Sequence, residues 1–584
     1  MLALFFAAAI ATQSSYDAGI QAYRNIDLAT AKRLFADAAE HDPDPQRRGE
    51  AQIRLAYIAW HIDRDAAAAK KWLDAVTDEE SVPAAWIERG RVDAELLSDF
   101  PAARSDAAHA LGAPKPTDAM RATILHAGAT IEPALRGLPS DAAQLQAAKT
   151  EVKSAIAIAG PLLAAERVAL DGAVVTNDGA AALEAWRAYY GALAHDDLLA
   201  PDEKAIANWN DRRAAGLALV HSGFIREGAY VLKSLPNPDS TVSAALAYAK
   251  FVASVKTIAD DYYRDVALKH ANEKAFRSAL DREGEALWNA IGIKGTYSSK
   301  AMIDELARRY GAVVRIGNTG NVLVMHYGHK ALDEQRTVSQ FGHEAPLQFI
   351  ELDGIVSNGF AMWYGPFGGD GGWADGAIYQ VRPMYADGPL LEWHRTTNPT
   401  LRAEQEKNIA GETARDDQRA AIEPVRFFPG VQLRLMRVYQ DGVLDELKRA
   451  GLAGDALRSA FIARVERDTF ESSIWAHEGR HAIDKKLDGS LRSAELEYRA
   501  KLSQMQFAPR HALIDIAGAG TPEFGDTPHG IANRRVAQAI NDWMKAHVEE
   551  INGVDRSKPL MLQLDKLSDA QIRAIGRSVD PYAK

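Results

Sequence analysis

The segment His477-Glu478-Gly479-Arg480-His481 constrains the fold more than any other part of the chain. Its two histidines are four residues apart, and side chains with this spacing lie on the same face of an α-helix. A stripe with a period near 3.6 residues supports a helix here, and its members are Phe470, Ile474, His477, His481 and Asp484. The two imidazoles supply two ligands of a predicted zinc site, and Glu478 stands beside them in the position of a general base.

A catalytic zinc ion takes three protein ligands and leaves one position for water, so a third ligand is expected nearby. The motif helix is predicted to end at Leu487-Asp488-Gly489, where Gly489 can adopt the left-handed conformation. Ser490 or Ser493 can then cap a second helix.

The second helix carries two candidate carboxylates, Glu495 and Glu497. Residues two positions apart on a helix point in different directions, so at most one of them can reach the metal. We predict Glu497, because the small residues Ala494 and Ala500 flank it and allow the two helices to approach closely.

The segment Glu497-Tyr498-Arg499-Ala500-Lys501 resembles the gluzincin metallopeptidases, whose HExxH helix is followed by a second helix with a glutamate, often as Glu-x-x-Ala-Asp. The resemblance covers about residues 470 to 502. It implies a zinc peptidase with His477, His481 and Glu497 as metal ligands. The fifth position of this pattern is an aspartate in the family but Lys501 in this chain. Lys501 cannot accept a hydrogen bond from a ligand histidine. Asp484 could replace that acceptor or simply pair with Arg480.

The predicted site contains two catalytic side chains. Glu478 would take a proton from water and pass it to the leaving amine. His529, in a Pro/Gly turn before another predicted helix, is a candidate donor to the oxyanion, a role that gluzincins often give to a His or Tyr. The alternative for His529 is an ordinary surface histidine beside a helix.

The first eleven residues form an apolar run that ends in Ala9-Ile10-Ala11 and suits a signal peptide, residues 1–11. We therefore expect a secreted or periplasmic protein, the alternative being a short apolar start to the first helix. The chain has no cysteine, which excludes disulfides. No later segment is expected to reach transmembrane length, so no stable membrane span is predicted. A net charge of −11 without a basic run argues against a nucleic-acid partner.

Residues 12–292 are predicted to form a helical-repeat domain. An internal repeat relates Gly19, Ala31, Phe35 and Ala38 to residues 37 positions later, namely Ala56, Ala68, Trp72 and Ala75. Small residues where helices cross, with a large apolar residue between them, resemble the tetratricopeptide pattern in a diverged form. The resemblance implies a solenoid that binds a protein partner or serves only as a scaffold.

Residues 293–395 contain short β-branched and aromatic runs separated by turn residues, which predicts a small antiparallel sheet. The glycine-rich segment 365–373 is interpreted either as a flap over the zinc cleft or as a surface loop. His326, His329 and His343 are interpreted as structural, because an i,i+3 pair in a strand points to opposite faces.

The predicted class is mainly α with a smaller α+β part. Residues 396–421, charged and poor in apolar side chains, are predicted to be a linker or an exposed helix. Residues 422–584 are predicted to be a helical, zincin-like catalytic domain. Two functions remain: a zinc peptidase acting on peptide or protein substrates, or a noncatalytic helical-repeat scaffold with an inert or structural zinc site.

Overall fold

The computed structural model describes residues 14–24, 26–159, 162–190, 198–319, 322–356, 371–374, 377–381, 384–519 and 527–583. These residues are mainly helical and include one small sheet, which confirms the predicted class. The predicted signal peptide and residues 365–370 of the glycine-rich segment lie outside the described residues.

Sixteen helices precede the sheet in the described part of the chain. They are α1 (Ser15–Arg24), α2 (Leu28–His41), α3 (Pro45–Ile58), α4 (Ala66–Asp74), α5 (Val82–Arg91), α6 (Phe100–Ala108), α7 (Pro116–Leu135), α8 (Ala142–Ala159), α9 (Leu163–Val175), α10 (Gly179–Tyr190), α11 (Ala200–Ala207), α12 (Arg212–His221), α13 (Ile225–Lys233), α14 (Ser240–Ala267), α15 (Glu273–Ala290) and α16 (Ser299–Tyr310). Short π-helical turns extend α3 over Ala59–Asp63 and α5 over Val92–Leu97.

The sheet is followed by a second set of helices. The strands are β1 (Ala312–Thr319), β2 (Val322–Gln340), β3 (His343–Val356), β4 (Gly371–Ala374) and β5 (Ala377–Val381). The later helices are α17 (Met384–Thr397), α18 (Pro399–Ile422), α19 (Pro429–Arg449), α20 (Gly454–Phe470), α21 (Gly479–Leu487), α22 (Ser493–Phe507), α23 (Pro509–Ala519), α24 (Pro528–Ala546) and α25 (Asp569–Val579). A π-helical turn, Glu471–Glu478, joins α20 to α21, and 3-10 turns cover Val548–Glu550 and Leu560–Lys566.

The chain divides into two compact units. Unit 1 comprises residues 1–21, 335–348 and 388–584, and unit 2 comprises residues 22–334 and 349–387. The tip of the β2–β3 hairpin therefore belongs to unit 1. The boundaries predicted at 292/293, 395/396 and 421/422 do not coincide with this division.

The helices of unit 2 repeat one pattern of capping and burial. Eight described helices of unit 2 begin after an aspartate whose side chain accepts a hydrogen bond from their first turn. Six of these caps share a burial pattern: Asp27, Asp65, Asp99, Asp141, Asp178 and Asp211. The residues 4, 8 and 11 positions after each cap are buried, as with Ala31, Phe35 and Ala38 in α2. These six caps are spaced unevenly along the chain, at intervals of 33 to 42 residues.

This pattern corrects the register of the predicted repeat. The residues that correspond to the buried face of α2 are Ala69, Leu73 and Val76, which are buried. Those predicted, Ala68, Trp72 and Ala75, are partly buried or exposed. For α2 the matching offset is 38 residues rather than 37, and a shift of one residue turns a helix by about 100°. Gly19 and Ala56, which are 37 residues apart, are both buried.

The sheet of unit 2 has the strand order β1-β2-β3-β5-β4. Strand β1 pairs antiparallel with β2, and β4 pairs antiparallel with β5. Strands β2 and β3 are joined by the two-residue turn Phe341-Gly342, and both residues have positive φ (53° and 77°). Two successive left-handed residues are typical of the tight hairpin turn that matches strand twist.

One described helix, α14, is long and apolar enough to cross a membrane by length and composition. From the sequence alone, no segment of transmembrane length is predicted after residue 11. The buried side chains of α14, among them Tyr248 and Tyr263, belong to the hydrophobic core of unit 2. The Tyr263 hydroxyl accepts a hydrogen bond from the backbone N–H of Met325 in β2 (2.8 Å).

Residues 396–421, predicted as a linker or exposed helix, are mostly the helix α18. Four of its residues are buried: Leu401, Gln405, Asp416 and Ala420. The Asp416 carboxylate pairs with Arg419 (2.9 Å) and accepts a hydrogen bond from the backbone N–H of Val431 (3.2 Å). Part of the polar face of α18 is thus used for packing within unit 1, which sequence composition does not reveal.

The motif helix is continuous from Gly454 to Leu487, because the π-helical turn keeps helical backbone angles at both of its ends. It ends at Leu487, as predicted, but Gly489 is not among the glycines with positive φ. The cap of α22 also differs from the prediction. Its N-cap is Arg492, and no side chain caps it by a hydrogen bond.

A buried ion-pair cluster holds the end of the chain against the motif helix. The Arg480 guanidinium is fully buried, donates to both oxygens of Asp580 (3.0 and 3.2 Å) and donates to Asp484 (3.0 Å). The rings of Phe341 and Tyr582 stack on it, at 5.0 and 4.5 Å from the ring centres. Asp484 therefore pairs with Arg480 and does not serve the metal-ligand histidines.

We expect Asp580→Ala to lower the free energy of unfolding of unit 1 by about 3–5 kcal/mol, because it leaves a buried guanidinium short of a partner. Urea unfolding of the full chain measures this. The control is Glu549→Ala, which removes an exposed partner of Arg556 and should cost less than about 1 kcal/mol. Equal effects of the two substitutions would contradict this account of the cluster.

Candidate metal centre

Three side chains predicted as metal ligands meet in unit 1. His477 closes the π-helical turn, His481 lies in α21, and Glu497 lies in α22. The Nε2 atoms of the two histidines are 3.2 Å apart. Glu497 Oε2 lies 3.4 Å from His477 Nε2, and Glu497 Oε1 lies 3.4 Å from His481 Nε2. This is the group of His, Asp and Glu side chains in the described residues that could hold a metal ion.

These spacings suit a tetrahedral cation. Zinc lies about 2.0–2.1 Å from its nitrogen and oxygen ligands, which places tetrahedral donors roughly 3.3 Å apart. The observed donor separations of 3.2, 3.4 and 3.4 Å are close to this value. The donor set of two imidazoles and a carboxylate is also one that catalytic zinc uses.

Burial gives a second reason to place a cation here. The side chains of His477, His481 and Glu497 are only 13%, 8% and 15% exposed. Burial would raise the pKa of Glu497, but the adjacent imidazoles of His477, His481 and His529 outweigh it and hold that pKa far below its usual range. The carboxylate is therefore ionised. Within the described residues, its buried Oε2 atom still lacks a hydrogen-bond partner of good geometry, as expected of a metal ligand.

The structure distinguishes between the two candidate carboxylates. Glu495 points away from the histidines and pairs with Arg499 (2.8 Å) and Arg535 (2.7 Å). Burial would raise the pKa of Glu495, but these two arginines lower it. Glu497 is the carboxylate beside the histidines.

Gln504 supplies the hydrogen-bond acceptor that the sequence analysis left unassigned. Its Oε1 atom lies 2.9 Å from His477 Nδ1, so it directs the Nε2 atom of that ring toward the metal position. Gln504 is seven residues after Glu497, two helical turns along the same face of α22. The helical spacing alone is compatible with an acceptor at Gln504, whereas the gluzincin pattern predicts the acceptor at position 501.

A chain of buried hydrogen bonds holds Gln504 in turn. Its Nε2 atom donates to Ser472 Oγ (3.2 Å), and Ser472 donates to Asp515 Oδ2 (2.6 Å). Asp515 also lies 3.2 Å from His511 Nδ1. Ser472 lies within the π-helical turn, which therefore links this chain of side chains directly to the helix that carries His477.

Lys501 occupies the position where the resemblance expects an aspartate. It is buried, and burial lowers its pKa, while the charges of Glu497 and Asp515 offset part of this effect. A lysine here adds positive charge beside the predicted metal and cannot orient a ligand histidine. This is where the site departs from the gluzincin pattern.

The two predicted catalytic residues also lie at this cluster. Glu478 follows His477 directly in the chain. Burial would lower the pKa of His477, but Glu497 and Glu478 outweigh it and raise that pKa. His529 lies in the first turn of α24, with the Thr527 side chain as its N-cap. Its Nδ1 atom is 3.0 Å from Glu497 Oε2, and its side chain is 50% exposed.

His326 and His329 do not form a second metal site among the described residues. His326 stacks on Tyr379 of the sheet, whereas His329 Nε2 lies 3.2 Å from the Tyr248 hydroxyl of α14. Burial lowers the pKa of His326 to about 4 and that of His329 to about 3, so both are neutral at neutral pH.

Compared with protein families, with curated proteins and with solved structures, the chain matches none.

We expect Gln504→Leu to weaken zinc binding about 10- to 100-fold, because His477 would lose the acceptor that orients its ring. Competition with a chromophoric chelator measures the affinity. Gln504→Glu is the control, since it keeps an acceptor at the same position and should bind zinc nearly as tightly as the wild type. If both variants lose zinc affinity to the same extent, the hydrogen bond accepted from His477 does not explain the effect of Gln504→Leu.

Proposed function

We propose that the protein is a zinc-dependent peptidase. The observation that carries this proposal is the convergence of His477 Nε2, His481 Nε2 and the Glu497 carboxylate at separations of 3.2–3.4 Å. The three residues fit a zinc ion by donor type, spacing and burial. Glu478 stands beside them, and a purely structural metal would have no use for a base in that position.

A bound zinc ion would supply Lewis acidity, which lowers the pKa of water and polarises a carbonyl group. The residues of the chain perform the proton transfers. Glu478 takes a proton from the attacking water and delivers it to the leaving nitrogen of the scissile amide. Gln504 keeps the His477 ring in a fixed orientation throughout the reaction, through the bond to its Nδ1 atom.

His529 is proposed to donate a hydrogen bond to the oxyanion that develops as the amide carbonyl is attacked. Two observations support this role. The ring lies at the metal cluster, with Nδ1 3.0 Å from Glu497, and half of its side chain is exposed to an incoming substrate.

The proposed substrate is a peptide or protein, since the resemblance to gluzincins implies peptide-bond hydrolysis. The repeated helices of unit 2 are proposed as a place for a protein partner or as a scaffold. Secretion or export to the periplasm is part of the proposal and depends on residues 1–11. A noncatalytic scaffold with a structural metal is the alternative, and it predicts that Glu478 is dispensable.

We expect Glu478→Gln to bind zinc like the wild type but to hydrolyse a mixed peptide library at least 100-fold more slowly. The reason is that a glutamine side chain at position 478 cannot take the proton from water. Mass spectrometry of the cleaved peptides and metal analysis of the purified proteins provide the two measurements.

His477→Ala serves as the comparison that should lose zinc and activity together. Undiminished cleavage by Glu478→Gln would remove this residue from the mechanism. Zinc binding by the wild type without any cleavage would favour the structural alternative.

A further inference from the structure

The tip of the β2–β3 hairpin, residues 335–348 of unit 1, packs against the π-helical turn that carries His477. Three residues of β2 that alternate along the strand face this turn: Arg336, Val338 and Gln340. Arg336 pairs with Glu471, and its guanidinium lies 4.2 Å from the Trp475 ring centre. The hairpin tip thus covers the segment immediately before the motif.

Val338 explains a glycine inside the motif. A Cβ atom on Gly479 would lie 2.6 Å from Val338 Cγ1, closer than real contacts allow, and 3.2 Å from Val338 Cβ, which is a tight contact. Glycine at this position therefore lets the strand approach the helix between the two predicted metal ligands. The close approach is part of the fold of the site and not a loose surface contact.

Gln340 bonds to both helices that carry predicted ligands. Its Nε2 atom donates to the backbone carbonyls of Trp475 (3.2 Å) and Ala476 (3.0 Å), which immediately precede His477. Its Oε1 atom accepts from Ser503 Oγ (2.6 Å), on the helix that carries Glu497. Gln340 and Ser503 are 3% and 0% exposed, so these bonds are sheltered from water.

The π-helical turn makes such support necessary. The wider turn changes the direction of the carbonyls around residues 471–478, and π-type turns inside α-helices occur frequently at functional sites. A buried carbonyl without a full set of partners is costly, and the Gln340 amide supplies donors to two of them. The amide thereby also fixes the distance between the His477 backbone and α22.

We propose that Gln340 is a positioning residue for the metal centre and that the hairpin tip holds the two ligand-bearing helices at the separation zinc requires. This inference rests on the proposed zinc site. It goes beyond that proposal because it assigns a role to a segment more than 130 residues away in the sequence. Gln340 touches neither metal nor substrate and acts only through the two helices.

The test compares Gln340→Met with a matched control, Gln563→Met, in the full-length protein. Gln563 is also a buried glutamine of unit 1, and it bonds to the backbone of Asp555 through Nε2 (2.9 Å) and Oε1 (2.7 Å). Each substitution keeps side-chain volume and removes hydrogen bonds to backbone groups. Both variants should therefore lose similar stability in the metal-free state.

Only Gln340→Met should weaken zinc binding, by about tenfold or more, and alter the visible d–d bands of the Co²⁺ form that report coordination geometry. Ser503→Ala should produce a smaller change in the same direction. The double variant Gln340→Met/Ser503→Ala should be no worse than Gln340→Met, since both substitutions break the same link. Equal zinc affinity in Gln340→Met and Gln563→Met would overturn the proposal.

Hydrogen exchange in the metal-free proteins separates this inference from the proposed function. Faster exchange over residues 474–481 in Gln340→Met, but not in Gln563→Met, is expected if Gln340 orders the helix that carries His477, and this readout needs no bound zinc. Unchanged exchange there overturns it. A wild-type protein that binds no zinc would instead refute the proposed function.

Discussion

Two imidazoles and one carboxylate of unit 1 lie within about a hydrogen-bond length of one another and are largely buried. Without a cation between them, burying these groups costs free energy, because buried polar atoms lose water and must find hydrogen-bond partners. The Glu497 oxygen that lacks a well-formed hydrogen bond shows that protein partners alone do not complete this satisfaction. A metal ion would supply what the protein groups do not.

The surrounding polar residues can be understood as devices that keep this group in place. Gln504 fixes the His477 ring, and the Ser472–Asp515 pair fixes Gln504. Arg480, between the two histidines in sequence, points to the other side of the helix and ties it to Asp580 near the end of the chain. The two sides of the motif helix thus differ, with the proposed metal ligands on one side and the ion pairs that anchor the helix on the other.

Local periodicity made part of this predictable. The four-residue spacing of the histidines and the opposite directions of Glu495 and Glu497 follow from helix geometry alone, and the mainly helical class follows from the same patterns. The repeat of unit 2 was detected but placed one residue out of register, because small residues such as Ala68 and Ala69 are adjacent and indistinguishable by composition. Burial, which depends on tertiary packing, selects Ala69.

Long-range contacts made the rest unpredictable. The π-helical turn depends on the carbonyl partners that Gln340 supplies from a distant hairpin, and no pattern near the motif indicates either feature. The hydrogen bonds that hold Gln504 likewise join three separate segments of the chain, because Ser472 and Asp515 lie outside the helix of Gln504. Residues that support a site from other segments are specified by the fold rather than by spacing within the motif.

X-ray absorption at the zinc edge of the metal-loaded, full-length protein tests the central claim most directly, combined with anomalous diffraction to locate the ion. The account predicts one zinc ion bound by two imidazole nitrogens and the Glu497 carboxylate at about 2.0–2.2 Å, with one light-atom position left for water. A fourth protein ligand that closes the coordination sphere, such as His529, or an ion bound elsewhere in the chain, would contradict it.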